Sequence, residues 1–178
     1  MAFGNVRGSV LWKSSEASAL LCSAKLLFFD AESRKISKSK LLAVYSRPRQ
    51  GLATADNEQF VRYWFEISNS NFERNANNAY ESTNSKRKWY PYNKGGYFRK
   101  WYGMNEYVID WFNNGQNLKA FNQSVLRNEQ YYFQKGITWS LFGFENFGVR
   151  YKHNGFIFDV SGSSMFPDDN MLYYILAF

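Results

Sequence analysis

A stretch rich in basic and aromatic residues, residues 86–105, most constrains what this chain can fold into. It reads Lys-Arg-Lys-Trp-Tyr-Pro-Tyr-Asn-Lys-Gly-Gly-Tyr-Phe-Arg-Lys-Trp-Tyr-Gly-Met-Asn, and no acidic residue occurs between Glu81 and Glu106. Two interpretations are consistent with this mixture. In the first, the stretch is a hairpin whose rings face a core while the cations are only solvated. In the second, the cations neutralise phosphates and the rings stack on bases or sugars, as in a nucleic-acid groove contact.

Length and composition favour one domain with a real core, since the chain has 178 residues, of which 20% are aromatic, and a net charge of +7. Its apolar runs are too short to span a bilayer, and its N-terminus lacks the long apolar region of a signal peptide. We therefore expect a cytoplasmic protein without membrane contact. Cys22 is the only cysteine and His153 the only histidine, so an internal disulfide is excluded and no metal site is predicted.

Periodicity and turn signals predict an α+β fold with one mostly antiparallel sheet, hairpins and a few short helices. Helices are predicted over residues 13–30, in one turn from Asp56 to Gln59, over part of residues 74–80, after the turn at residues 113–115, and after Asp168 or Asp169. Strands are predicted at residues 41–45, 61–67, 106–112, 131–133, 137–142, 147–152 and 156–161. The last two are expected to pair as a hairpin through His153-Asn154-Gly155, because Asn-Gly between strands is a hairpin signal.

Several catalytic motifs are absent from the sequence, and we therefore predict that this chain catalyses nothing by itself. No Asp or Glu has a Lys two positions later, so the acidic-x-Lys triplet of a common Mg²⁺ nuclease is absent. The three prolines are never adjacent, which excludes the Asn/Asp-Pro-Pro-aromatic loop that holds a base during amino-methylation. No Phe-x-Gly-x-Gly loop for adenosylmethionine is present, so no cofactor is expected in this chain. A carboxylate pair such as Asp110 with Asp159 stays open, because strand residues can meet in space.

Four blocks carry a resemblance to a known family. Residues 48–57, PRQGLATADN, resemble the family's "PRQGLxTGDN", and residues 88–108 resemble its "KWFPYNKGGxFRKWYGNNEYVV". Residues 136–140 and 155–167 match later blocks. The chain is thus similar to the C-terminal target-recognition region of BREX/Pgl-type adenine-specific DNA methyltransferases, relatives of type IIG restriction-modification enzymes. It departs from them at Ala55, where Gly is usual, and at Met104, where Asn is frequent.

The resemblance implies one target-recognition-like domain over residues 1–178, with a helical lead-in at 1–47 and the motif-covered region at 48–178. It also implies a fragment of a longer protein, whose missing domain would use S-adenosylmethionine to methylate adenine. This chain would bind duplex DNA and present it to that catalytic domain, since base flipping needs a surface that holds the distorted duplex in register. Other defence-system subunits are further candidate partners.

Ten residues follow as candidates for DNA contact, each with a structural role as the alternative. Phosphate contacts are predicted for Lys88, Lys94, Arg99 and Lys100. Base-edge contacts, which suit Arg and amide side chains, are predicted for Arg49, Gln50 and Asn93. Groove-lining or wedging rings are predicted at Tyr92, Trp101 and Tyr102.

Two other functions remain open for the same residues. The chain can be a protein-interaction domain that docks defence-complex subunits, with its cations serving solubility. It can also be a single-strand binder that relies on stacking aromatics. Duplex binding with a steep salt dependence distinguishes the first function from both.

Overall fold

A computed structural model describes residues 46–141 and 147–177. Within these ranges lie four α-helices: α1 (Asn57–Phe60), α2 (Ala79–Asn84), α3 (Phe112–Ala120) and α4 (Asp169–Ala177). The strands there are β1 (Val61–Tyr63), β2 (Trp89–Asn93), β3 (Tyr107–Asp110), β4 (Gly136–Trp139), β5 (Val149–Lys152), β6 (Ile157–Phe158) and β7 (Ser164–Met165). The helix predicted at 13–30, the strand predicted at 41–45 and most of the 1–47 lead-in lie outside the described residues.

The strands form two sheets, in the orders β1-β3-β2-β6 and β5-β4-β7. All pairs are antiparallel except β2 with β6, which is parallel. The predicted α+β class with mostly antiparallel pairing is confirmed, and the strands divide between two sheets where one was expected. Each sheet has its own apolar cluster. The larger packs Tyr90, Trp111 and Phe158 together, and the smaller packs Ile137 of β4 against Leu172 of α4.

The segment that precedes α1 connects the two sheets through its main chain. Arg49 pairs with Ser164 of β7, and Leu52 pairs with Asp159, directly after β6. Between them, Gly51 lies so close to β6 that a Cβ there would be 1.7 Å from the carbonyl oxygen of Phe158. Only glycine fits this approach, which explains the glycine of the PRQGL block.

Two local predictions from the sequence are confirmed. Asp56 caps α1, since its carboxylate accepts from the main-chain N–H of Gln59 at 3.0 Å. Residues 113–115, Asn-Asn-Gly, all have positive φ values (47°, 57° and 75°) and turn the chain before the regular part of α3. Asn and Gly are the residues that enter this left-handed region most readily.

Two element boundaries differ from the prediction, and one predicted strand is absent. β1 ends at Tyr63, because the carboxylate of Glu66 accepts from the Tyr63 N–H at 2.6 Å and a 3₁₀ turn follows. α2 begins at Ala79 and so overlaps the helix predicted within 74–80 by only two residues, because Asn78 supplies the N-terminal cap. No strand forms at residues 131–133, where Phe133 has a φ of 67° and follows a 3₁₀ turn.

The predicted hairpin through His153-Asn154-Gly155 is wrong. β5 pairs with β4, while β6 crosses to the other sheet and runs parallel to β2. Gly155 has a φ of 84° and its N–H donates to the carbonyl of Phe133, while the N–H of Phe133 donates to the carbonyl of Phe156. The turn therefore connects strands of two different sheets, so the Asn-Gly pair does not form a hairpin here.

Candidate nucleic-acid interface

The loop between β2 and β3, residues 94–106, contains the most exposed part of the basic-aromatic stretch. It does not project freely, because it is bonded to the second sheet at two places. The N–H of Gly96 donates to Ser140 Oγ at 2.9 Å, and Trp101 forms a parallel bridge with Arg150 of β5. Gly95 lies against Ser161, where a Cβ would be 2.4 Å from the carbonyl oxygen. Main-chain contacts thus fix the loop that carries the candidate side chains.

The side chains at the tip of this loop point to solvent. Trp101 and Tyr102 are each 60% exposed, and Arg99 and Lys100 are exposed as well. The ammonium of Lys100 lies 6.0 Å from the centre of the Trp101 ring. Within residues 46–141 and 147–177, neither Arg99 nor Lys100 forms a salt bridge. Four of the ten predicted residues thus lie together at the exposed tip of this loop.

Arg150 adds positive charge beneath the loop. It is only 1% exposed, and its Nη1 lies 3.4 Å from Ser140 Oγ. Its Nε and Nη2 are buried without a hydrogen-bond partner among the residues that the structure describes. The pKa of Arg150 is lowered, mainly because the side chain is buried; the charge of Glu106 raises it in part, and the charge of Arg99 lowers it further. The guanidinium groups of Arg150 and Arg99 therefore repel one another.

Lys94, at the base of the loop, is half-buried. Its ammonium lies 5.8 Å from the centre of the Tyr107 ring. Burial lowers the pKa of Lys94, and the negative charge of Asp159 raises it in part. Lys94 lies on the same loop as Arg99 and Lys100, but its contact with a phosphate would compete with its contacts to Tyr107 and Asp159 inside the domain.

Lys88 does not join the other three cations. It precedes β2 (Trp89–Asn93), whereas Lys94 follows it, and six extended residue steps separate the two lysines along the strand by roughly 20 Å. Its ammonium lies 3.5 Å from the nearly buried carboxylate of Asp110 and 5.0 Å from the ring of Trp89. In this structure Lys88 pairs with Asp110 at the far end of the strand, and its phosphate contact stays a prediction.

Tyr92 and Asn93 are not available for DNA contact in this structure. Tyr92 is fully buried, and its hydroxyl donates to the carboxylate of Asp159. Asn93 is 1% exposed, and its side-chain N–H donates to Thr138 Oγ1 at 2.6 Å. The parallel pairing of β2 with β6 covers both residues, so burial removes them from the predicted set.

Arg49 and Gln50 lie away from the loop, in the segment that connects the sheets. The guanidinium of Arg49 lies over the Tyr131 ring at 5.1 Å and donates to its hydroxyl at 3.3 Å. The carbonyl of Gln50 accepts from the side chain of Asn128 at 2.9 Å. Both side chains are partly exposed. Their predicted base contacts would form a second region, separate from the loop.

The sequence reasoning missed an exposed stack of rings beside the loop. Tyr63 stacks on Phe65 with ring centres 5.2 Å apart and on Tyr107 with centres 5.0 Å apart. Phe65 is 66% exposed. The sequence predicts Tyr63 and Phe65 on one face of a strand over residues 61–67, whereas in the structure β1 ends at Tyr63 and a 3₁₀ turn follows at Trp64–Glu66. The aromatic density of residues 63–65 was the available signal.

The open carboxylate pair separates into two structural roles. Asp110 accepts from Asn117 at 3.1 Å and pairs with Lys88. Asp159 accepts from Tyr92 and from the N–H of Ser161. In residues 46–141 and 147–177, no three His, Cys, Asp or Glu side chains gather as metal ligands. None of the helices in those ranges has the length and apolar character needed to cross a membrane.

Comparison with known proteins agrees with the resemblance seen in the motifs. No model of a protein family matches the chain. It is 40% identical over 142 residues to the adenine-specific methyltransferase BrxX of Escherichia coli O9:H4 (strain HS), an overlap of 78% of this chain and 11% of that protein. It is 36% identical over 138 residues to the adenine-specific methyltransferase PglX of Lacticaseibacillus casei (strain Zhang), covering 73% of this chain and 11% of that protein. The chain spans about a ninth of the length of these relatives, and it is homologous to one segment of the BREX/Pgl-type adenine-specific methyltransferases.

Proposed function

We propose that this chain is a duplex-DNA recognition domain of a BREX/Pgl-type phage-defence methyltransferase, which presents DNA to a separate catalytic domain. In this proposal the catalytic domain binds S-adenosylmethionine and methylates adenine, and this chain binds the duplex. A cytoplasmic location and contacts with other defence-system subunits belong to the same proposal.

The observation that carries the proposal is the exposed tip of the 94–106 loop. Arg99 and Lys100 provide two charges for phosphates, and Trp101 and Tyr102 provide flat surfaces next to them. The bridge from Trp101 to β5 fixes the main chain at the point where these four side chains begin. A prepositioned contact loses less conformational freedom on binding than a mobile one.

A single-strand binder is the second candidate, and the Tyr63–Phe65–Tyr107 stack favours it. Bases of a single strand can stack on successive exposed rings with little sequence preference. A duplex keeps its bases stacked inside, so these rings would contribute much less to duplex affinity. The two candidates therefore differ in which surface dominates the binding.

A salt series of nucleic-acid binding by the 178-residue chain tests the proposal. We expect duplex binding whose logarithmic affinity falls steeply with the logarithm of salt concentration. A consistent preference for single strands would favour the second candidate. Absence of binding to duplex and single strand at low salt would contradict both and favour a protein-docking domain.

A further inference from the structure

A cleft of about 580 Å³ opens between the first sheet, the 94–106 loop and the turn after β5. Its volume falls within the range of roughly 300–1,000 Å³ that is typical of small-ligand sites. Rings of Trp64, Tyr102, Tyr107 and His153 line it, and Asp and Glu are absent from the described residues of its wall. The cleft is therefore aromatic and free of the negative charge that would repel a nucleotide.

The rings form a supported wall. The ring of His153 lies nearly perpendicular to those of Tyr102 and Tyr151, with ring centres 5.5 Å and 4.6 Å apart. Burial and the charge of Lys152 lower the pKa of His153. Near neutral pH this imidazole is thus uncharged, and it can stack on another flat ring without a desolvation penalty for a cation.

Polar groups in the cleft match the edge of a base. The amides of Asn105 and Asn154 line it; Asn105 is partly exposed and Asn154 is exposed, so a ligand in the cleft can reach both residues. An Asn amide carries both a donor and an acceptor, the pair that adenine N6 and N7 require. Arg74, at the wall, lies 4.7 Å from the centre of the Phe72 ring and supplies a positive charge.

The cleft also adjoins the phosphate-binding tip of the proposed interface. A Cβ on Gly103 would lie 2.7 Å from Arg99 Cδ, so the Arg99 side chain passes directly beside Gly103, the residue that follows Tyr102 in the chain. A strand whose phosphate lies on Arg99 would therefore have its base within reach of the cleft. We propose that the cleft binds one unstacked nucleobase of the DNA, an inference that rests on the proposed duplex-binding function.

The test compares two duplexes of the same sequence, one fully paired and one with a single unpaired adenine, bound to the 178-residue chain. Stacking contributes about 1–3 kcal/mol per base, which corresponds to roughly 5- to 150-fold in affinity. We expect the wild-type chain to bind the duplex with the unpaired base at least fivefold more tightly. The variants Trp64→Ala and His153→Ala should lose this preference.

A matched control is Tyr173→Ala, which removes another exposed ring (67%, beside 51% for Trp64) from α4, outside the cleft. It should keep the preference, and thermal unfolding should show that all three variants are folded. The cleft inference is overturned if wild type binds the two duplexes equally, or if Trp64→Ala and His153→Ala keep the preference. In either case, binding of the paired duplex leaves the proposed function standing. Failure to bind the paired duplex overturns the proposed function itself, and failure with both duplexes overturns the two together.

Discussion

The main-chain N–H of Trp101 donates to the carbonyl of Val149 at 2.9 Å, and the N–H of Tyr151 donates back to the carbonyl of Trp101 at 2.9 Å. Through this pair of bonds, one residue of the 94–106 loop acts as an extra partner for the outer edge of β5. A covered edge is protected from pairing with another chain. The same bonds hold Arg99, Lys100 and Tyr102 at defined positions around Trp101.

The first prediction concerns amide hydrogen exchange in this loop. We expect the Trp101 amide to exchange much more slowly than those of Arg99 and Lys100, because a bonded N–H exchanges only when its segment opens. Exchange measured residue by residue by NMR on the free chain checks this. Uniformly fast exchange from residue 94 to 106 would show that the loop is not held on β5.

The second prediction tests the buried role of Tyr92. Tyr92→Phe removes the hydroxyl that donates to Asp159 and leaves every other atom of the ring in place. Hydrogen bonds to charged groups contribute about 1.5–3 kcal/mol, so we expect the free energy of unfolding to fall by that order. Denaturant unfolding measures it.

The matching control for Tyr92→Phe is Tyr102→Phe, which removes a hydroxyl from a 60% exposed ring. Its unfolding free energy should change by less than about 0.5 kcal/mol, as is usual at the surface. If Tyr92→Phe leaves stability unchanged and weakens DNA binding, Tyr92 contacts the DNA groove and its buried structural role is wrong.

The third prediction comes from a departure from the family pattern. Ala55 has a φ of 61°, so it adopts the left-handed conformation in which the family usually has glycine. A left-handed residue with a Cβ costs roughly 1–2 kcal/mol, although glycine also loses more entropy on folding. We expect Ala55→Gly to stabilise the chain by about 0.5–1 kcal/mol, measured by chemical denaturation.

Ala53→Gly is the control for that substitution. Ala53 is bonded in both directions to Val125 at 2.9 Å, and its φ is not among the positive values of the described residues. The same replacement there should destabilise by roughly 0.5–1 kcal/mol, because glycine weakens an extended segment. Destabilisation at both positions would contradict the strain assigned to Ala55.

The fourth prediction concerns Lys152, which is fully buried on β5. Its Nζ donates to the carbonyl of Gln134 and lies 5.1 Å from the centre of the Phe166 ring, contacts that favour the charged form. Desolvation outweighs them and lowers the pKa of Lys152 from 10.5 to about 7. Above pH 7 the folded chain thus loses a proton that the unfolded chain still holds.

Stability should consequently rise with pH in the window from pH 7 to about 10, by up to about 1.4 kcal/mol per pH unit from this group. The destabilisation by the buried charge is fully present below pH 7. We expect the free energy of unfolding of Lys152→Met to lack this rise, as measured by urea titrations from pH 6 to 9. Parallel pH curves for wild type and variant would contradict the lowered pKa.

Local features of the fold followed from the sequence, and features that depend on sheet pairing did not. The Asp56–Gln59 cap and the left-handed turn at residues 113–115 are decided by neighbouring residues, so their signals are short-range. The turn at His153-Asn154-Gly155 has a hairpin signature, but the pairing of β6 with β2 depends on a partner far away in the chain. Periodicity does not encode which strand a segment will meet.

The candidate site was predictable only in part for the same reason. Residues 86–105 contain both core and surface residues: Tyr90 and Tyr92 are fully buried, whereas Tyr97 is 87% exposed. Composition does not separate these two groups, because both are aromatic and lie between cations. Tyr92 is buried beside the parallel strand β6, whereas the bonds to β5 hold Trp101 where its ring is exposed.

The most direct test of the proposed function is the salt dependence of duplex binding for Arg99→Ala/Lys100→Ala beside wild type. The control is Lys119→Ala/Lys135→Ala, which removes the same charge from residues paired with Glu129 at 2.9 Å and Asp169 at 2.8 Å. If Arg99 and Lys100 contact phosphates, their removal lowers the log–log salt slope by about 2 and weakens binding to all sequences alike, while the control slope stays near wild type. An unchanged slope in Arg99→Ala/Lys100→Ala, or an equal loss in the control, would contradict the account.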